Sequence, residues 1–162
     1  MTTPQLHYDL IHETGAEPRR WIFLLHGIYG AGRNWNAVFR RVVEARPDWG
    51  VVAVDLRGHG QSPAMDPPHT LLRCVDDLDA LVDTLPHRPE VIAGHSFGGK
   101  VALLYGDEPD HGIVQSWVVD STPDARTPAG SAWEMLQVLR NRPGPFPSRD
   151  EGVQAVLDHG YA

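Results

Sequence analysis

Val91-Ile92-Ala93-Gly94-His95-Ser96-Phe97-Gly98-Gly99-Lys100 decides the reading of this chain. A short apolar run ends in Gly-x-Ser-x-Gly, and a helical pattern begins at once. Strand, sharp turn and helix around a central serine is the sequence form of a nucleophile elbow. Such a turn strains the serine backbone and lifts its hydroxyl clear of the sheet. Gly94 and Gly98 suit its flanks, because a Cβ at either place would crowd the turn or hold the helix off the strand. The helix opening near Phe97 points unpaired N–H groups and its positive dipole end at Ser96. Gly-x-Ser-x-Gly alone is a common chance match; the strand before it and the helix after it give it weight.

Working outward, Thr70 to Leu85 predicts the clearest helix, with Leu71, Leu72, Val75, Leu78, Leu81, Val82 and Leu85 as one apolar stripe. Asp76, Asp77, Asp79 and Asp83 then fall on a solvated face. Trp21–Leu25 and Val51–Val54 are continuous apolar runs, the mark of strands buried on both faces. Leu6 to Glu13 alternates and reads as an edge strand. Asn34 is a candidate N-cap for a helix carrying Trp35, Val38, Phe39, Val42 and Val43, which ends before Pro47. Val114–Val119 is a further strand, ending in Asp120-Ser121-Thr122-Pro123. Two helical stretches follow, Ser131–Asn141 and Ser148–Gly160, with a proline-rich break between them.

This alternation predicts an α/β fold: a mostly parallel twisted sheet with helices on both faces. In such sheets the chemistry gathers beyond the carboxyl ends of the strands. Four unusual segments end strands here: His26–Gly32, Asp55–Pro63, Gly94–Gly99 and Asp120–Pro123. Their convergence points to an active site.

Composition narrows the function classes. With 162 residues, one domain is expected. A net charge of −7 with no basic cluster argues against nucleic acid or a membrane as partner. A single cysteine, Cys74, allows no internal disulfide and fits a reducing compartment. The opening MTTPQLHYDL lacks the pattern of a signal peptide, so a cytoplasmic location is expected.

Taken together and in order, Leu-Leu-His26-Gly27-x-x-Gly30, Asp55-x-Arg57-Gly58-His59-Gly60-x-Ser62, Gly94-His95-Ser96-Phe97-Gly98-Gly99 and Val-Val-Asp120-x-x-Pro123 resemble the α/β-hydrolase superfamily. The resemblance covers about residues 6–123 and places the core in 1–123. Residues 124–162 look like the start of that superfamily's helical cap. The elbow is most similar to that of small serine esterases and acyl-ester hydrolases, with Phe97 where those carry Met. The resemblance implies a serine hydrolase that cleaves a small carboxylic ester or thioester through an acyl-enzyme on Ser96. It implies no metal and no organic cofactor. Carbon–carbon hydrolase or lyase chemistry on the same scaffold stays open, as does an inactive core serving as a binding module.

By the same resemblance, the backbone N–H groups of Ile28 and Phe97 would form the oxyanion hole. Tyr29 and Trp133 are candidates for substrate contact. Trp35 and Trp117 read first as core packing. Asp120 is either the acid of the triad or a cap on the following loop. His26 and His95 read as loop-ordering residues under the elbow, and the Arg57–Ser62 loop as structural, with an Asp55–Arg57 pair. The triad order is Ser, acid, His. His111 precedes the Val114–Val119 strand and His159 sits in the last helical stretch, so neither fits as the base. The chain therefore reads as the N-terminal part of such an enzyme. Its Val114–Val119 strand would then be an open apolar edge, expected to self-associate or to pair with a C-terminal fragment.

Overall fold

Two apolar strands, β2 (Arg20–Leu25) and β3 (Trp49–Val54), lie in a five-stranded sheet of the computed structural model. Residues 5–124, 129–141 and 146–158 are described. The sheet order is β1-β3-β2-β4-β5, with β1 (Tyr8–Ile11), β4 (Val91–His95) and β5 (Gln115–Val119) as the other strands. β1 runs antiparallel on the edge beside β3; the remaining pairs are parallel. Leu25 stands opposite both Val54 and Gly94, and Gly94 opposite Val118. This level register brings the loops after β2, β3, β4 and β5 to one rim.

Residue alternation along the strands builds a core on each face. Trp21, Phe23, Leu25, Val52 and Val54 pack with Leu78, Leu81, Val101 and Tyr105. These last four come from α2 (Leu71–Val82) and α3 (Phe97–Asp107). Ile22, Leu24, Val51, Ala53 and Ala93 pack on the other face with Phe39 and Val43 of α1 (Asn36–Ala45). Burial on both faces is why β2 and β3 are apolar throughout rather than alternating.

Thr70 caps α2, its hydroxyl accepting the Arg73 N–H at 3.2 Å. Four local expectations are corrected. Asn34 does not cap α1: it lies in a 3-10 turn, Gly32–Trp35, and its side-chain oxygen accepts the Ala31 N–H at 2.6 Å. Leu72 is 66% exposed, while Asp77, expected in solvent, is 5% exposed. The helical period explains both, because Cys74, Asp77, Leu78 and Leu81 share the buried face at spacings of three and four. Trp117, read as core, is 46% exposed because β5 ends the sheet.

The chain divides into two compact units, Met1–Pro123 and Asp124–Ala162. The second contains α4 (Ser131–Asn141) and α5 (Arg149–Leu157). The Ser148 hydroxyl caps α5 by accepting the Glu151 N–H at 3.2 Å. Among the described residues, no helix is long and apolar enough to cross a membrane.

Candidate active site

Ser96 sits between β4 and α3 with φ +49° and ψ −112°. A β-carbon in this region costs on the order of 1–3 kcal/mol and persists only where the surroundings impose it. Here they do. The Ser96 N–H donates to the Val119 carbonyl at 2.9 Å, and the Ser96 carbonyl accepts the Gly99 N–H at 3.0 Å. A Cβ on Gly94 would lie 2.1 Å from the Gly98 carbonyl oxygen. A Cβ on Gly98 would lie 2.5 Å from the carbonyl oxygen of His26 and 2.7 Å from that of Leu25. Both glycines are thus required by backbone-to-backbone approach, which seats the first turn of α3 on the end of β2.

That approach also brings the loop after β2 against the serine. A Cβ on Gly27 would be 2.8 Å from His95 Nδ1 and 3.4 Å from Ser96 Cβ. Ile28 follows in a turn closed by the Gly30 N–H to the Gly27 carbonyl at 2.8 Å. Tyr29 is exposed at its tip. Phe97 is the first residue of α3, so its N–H has no acceptor within the helix.

The histidines divide by environment. His26 is fully buried: Nε2 accepts the Leu56 N–H at 3.0 Å, and Nδ1 donates to the Gly27 carbonyl at 2.7 Å. Burial pushes its pKa down, against the raising effect of the Gly27 hydrogen bond. His95 is half-buried; its ring packs 5.5 Å from that of Trp35, and Nε2 lies 3.9 Å from Asp120 Oδ2. His111 reaches the Tyr105 carbonyl at 2.7 Å and Asp79 at 3.0 Å, away from the elbow. None of these hydrogen-bonds the Ser96 hydroxyl. His159 lies outside the described residues.

Asp120 occupies the rim beside Ser96 and shares its unusual backbone, with φ +49°. Among the described residues, these are the two non-glycine positions with positive φ. The Asp120 side chain is 88% exposed. Trp133 lies on α4 in the second unit, exposed.

The loop after β3 is corrected in its pairing. Arg57 does not pair with Asp55. Its Nε and Nη2 donate to Asp77 at 2.6 and 3.0 Å, and Nη1 donates to the Pro68 carbonyl at 2.9 Å. Asp55 instead accepts the Gly32 N–H at 2.7 Å and the Gln61 N–H at 2.9 Å. Burial, the largest single effect, raises its carboxyl, but those N–H donors together with the His7 and His26 rings hold the pKa below the usual range. Asp55 thereby ties the loop after β2 to its own. The signal for Asp77 was available: it lies three residues after Cys74 and four before Leu81, on the apolar stripe.

Burial pushes the Cys74 thiol up to about 11, so it is no thiolate nucleophile near neutral pH. Among the described residues, no cluster of three or more His, Cys, Asp or Glu side chains could hold a metal ion.

A serine at the carboxyl end of a parallel strand, on a strained turn into a helix and with a glycine-rich loop folded against it, has the backbone geometry of a nucleophile elbow. Residues 22–161 match the model of the Alpha/beta hydrolase family, and the chain belongs to it. It is 34% identical over 135 residues to the sn-1-specific diacylglycerol lipase of Mus musculus, covering 83% of this chain and 43% of that protein. It is 29% identical over 163 residues to 2-succinyl-6-hydroxy-2,4-cyclohexadiene-1-carboxylate synthase of Pectobacterium atrosepticum, covering 91% of this chain and 59% of that protein. A solved marine microorganism esterase superimposes with a TM-score of 0.79 at 21% identity, over 96% of this chain and 59% of the other. The chain thus spans between two-fifths and three-fifths of these relatives' lengths.

Proposed function

We propose that this chain carries the nucleophile and oxyanion hole of a serine hydrolase acting on a small carboxylic ester or thioester. The observation that carries the reading is the strained Ser96 backbone, imposed by glycine contacts that also seat the Gly27–Ile28 loop beside it. In this reading a base takes the Ser96 proton and Oγ attacks the substrate carbonyl carbon. The carbonyl electron pair moves onto oxygen, where the Ile28 and Phe97 N–H groups stabilise it, each worth about 3 kcal/mol. Collapse expels the alcohol or thiol, which takes the proton from the base. Water then attacks the acyl-enzyme by the same route and releases the acid.

Asp120 is the acid of this reading, from its place on the rim beside the elbow. The base comes from outside the described residues, since none of His26, His95 and His111 hydrogen-bonds the Ser96 hydroxyl. Tyr29 contacts substrate, and the site works without metal or organic cofactor in a reducing, cytoplasmic setting. Self-association through β5 belongs to the same reading. Val114, Trp117 and Val119 are exposed along an edge whose backbone groups match a second copy of themselves under two-fold symmetry. A monodisperse monomer in light scattering at micromolar concentration refutes that part.

The test of the reaction is a fluorophosphonate probe read by peptide mass spectrometry. Labelling at Ser96, abolished in Ser96→Ala, supports the reading; a folded chain that never labels overturns the catalytic competence of this chain and leaves the binding-module alternative. The relative that is a synthase favours one second reading, carbon–carbon hydrolase or lyase chemistry. Turnover of vinylogous diketones, with none of p-nitrophenyl esters of rising acyl length, would select it.

A further inference from the structure

His59 faces a backbone carbonyl with each ring nitrogen. Nδ1 lies 2.9 Å from the Arg57 oxygen and Nε2 lies 2.5 Å from the Ile28 oxygen. A carbonyl oxygen only accepts, and a neutral imidazole has one N–H to give. The imidazolium alone satisfies both partners. Neighbouring His26 is the opposite case, since its Nε2 accepts from Leu56 and so its ring is neutral. The two rings are 4.9 Å apart. A neutral His26 leaves that space free of a second cation.

The charged groups on the neighbouring segments have other partners. Asp55, just after β3, pairs with His7 at 3.1 Å and lies within electrostatic reach of the His26 ring. Arg57, in the same loop as His59, turns its guanidinium away to Asp77. The α3 side presents the Phe97 ring, stacked on His59 at 6.3 Å and 27°. The Lys100 ammonium on α3 donates to the Thr122 carbonyl.

These contacts converge on Ile28. The peptide that carries the Ile28 N–H has Gly27 for its carbonyl, which accepts from both His26 Nδ1 and the Gly30 N–H. The next peptide has Ile28 for its carbonyl, which accepts from His59. Two histidine rings hold the successive peptides on either side of the Ile28 Cα. The same His59 ring packs on Phe97, the second N–H donor of the proposed hole.

We propose that protonated His59 is a positioning residue that clamps the Ile28 peptide and braces Phe97, so that the alignment of the oxyanion hole follows the charge of this one ring. The assignment of the hole rests on the serine hydrolase reading above; the clamp itself does not. When His59 loses its proton it keeps one donor for two acceptors, and the Ile28 turn loosens.

Two readouts on the full chain test this. The first is ¹⁵N NMR across about pH 5 to pH 9, which spans imidazole chemistry. The Ile28 and Tyr29 amide signals should shift with the same midpoint as the His59 ring nitrogens, and that ring should show both nitrogens protonated on the acid side. The second is the rate of phosphonate labelling at Ser96. His59→Phe keeps a ring against Phe97 but has no donor, and should slow labelling about 10-fold, the worth of one hydrogen bond. His59→Gln restores one donor, should recover part of that rate, and should remove the pH dependence of the Ile28 and Tyr29 amides. Ile28 and Tyr29 amides that stay flat through the His59 titration overturn the clamp. So does wild-type labelling speed in His59→Phe. If the wild-type chain never labels, the hydrolase reading fails, and the NMR titration still decides whether His59 holds Ile28. If His59→Phe does not fold, the wild-type titration and His59→Gln decide it.

Discussion

Removing Asp77 exposes how much of this fold hangs on one buried charge pair. Asp77 is 5% exposed, and the Arg57 side chain that meets it is 9% exposed. Two of the three Arg57 hydrogen bonds go to this carboxylate. At roughly 1.5–3 kcal/mol for each charge-assisted bond, Asp77→Ala forfeits about 3–6 kcal/mol. Measured losses on breaking a buried pair from one side run about 3–5 kcal/mol, because the remaining charge stays buried without a partner. The two routes agree. For a chain of this size each kcal/mol moves Tm by about 2–4 °C, so a drop of about 6–20 °C is expected. Urea unfolding followed by circular dichroism measures it. Replacing both partners by leucine should recover most of the loss, since an apolar pair leaves no unpaired charge. If the sequence expectation of an Asp55–Arg57 pair were right, Asp77→Ala would be a surface change worth less than about 0.5 kcal/mol. A loss that small refutes the pairing described here.

Other perturbations probe the elbow and the loops around it. Gly98→Ala drives a Cβ into the Leu25 and His26 backbone, where nothing can rotate aside, and should cost more than about 3 kcal/mol in a thermal melt and abolish Ser96 labelling. Gly112→Ala, at φ +71° with open space around it, should cost only about 1 kcal/mol in the same melt. Ser96→Gly relieves the positive φ and should gain about 1 kcal/mol in urea while losing phosphonate reactivity; a loss of stability there contradicts the strain. The lowered pKa of buried His26 has a definite sign. Its contribution is whole above about pH 6.5 and drains as pH falls toward the depressed folded-state value, because the unfolded chain binds a proton the folded chain refuses. Asp55 acts in the same direction at lower pH. Its folded-state pKa is also depressed, so its contribution is present above about pH 4 and lost as pH falls through the folded value. Urea midpoints in a pH series should show both losses, and His26→Gln should flatten the upper one.

Much of the architecture was legible because it is written in local periods. Continuous apolar runs marked β2, β3 and β4, and a stripe at spacings of three and four marked α2. The glycine–serine–glycine spacing marked the elbow, because the approach of α3 to β2 leaves no room for a Cβ on either flank. The strand ends that would carry the site could be read for the same reason, since parallel strands in level register put their following loops on one rim.

Pairings through space were a different matter. Arg57 reaches 20 residues along the chain to Asp77, and His59 reaches 31 residues back to Ile28. No spacing rule announces such contacts, because they depend on how two loops and a helix are stacked over the sheet. Charge alone places Asp77 in solvent; its helical phase, set against the sheet, buries it. Size alone places Trp117 in the core, but burial depends on a neighbouring strand, and β5 ends the sheet. Backbone sterics and residue period thus set the order of elements, the elbow and Ser96 within the linear chain. Packing set which charge meets Arg57, which histidine is neutral and which holds two carbonyls, and that Asp120 shares the strained backbone of Ser96. Those depend on distances between segments that the chain's linear order does not contain.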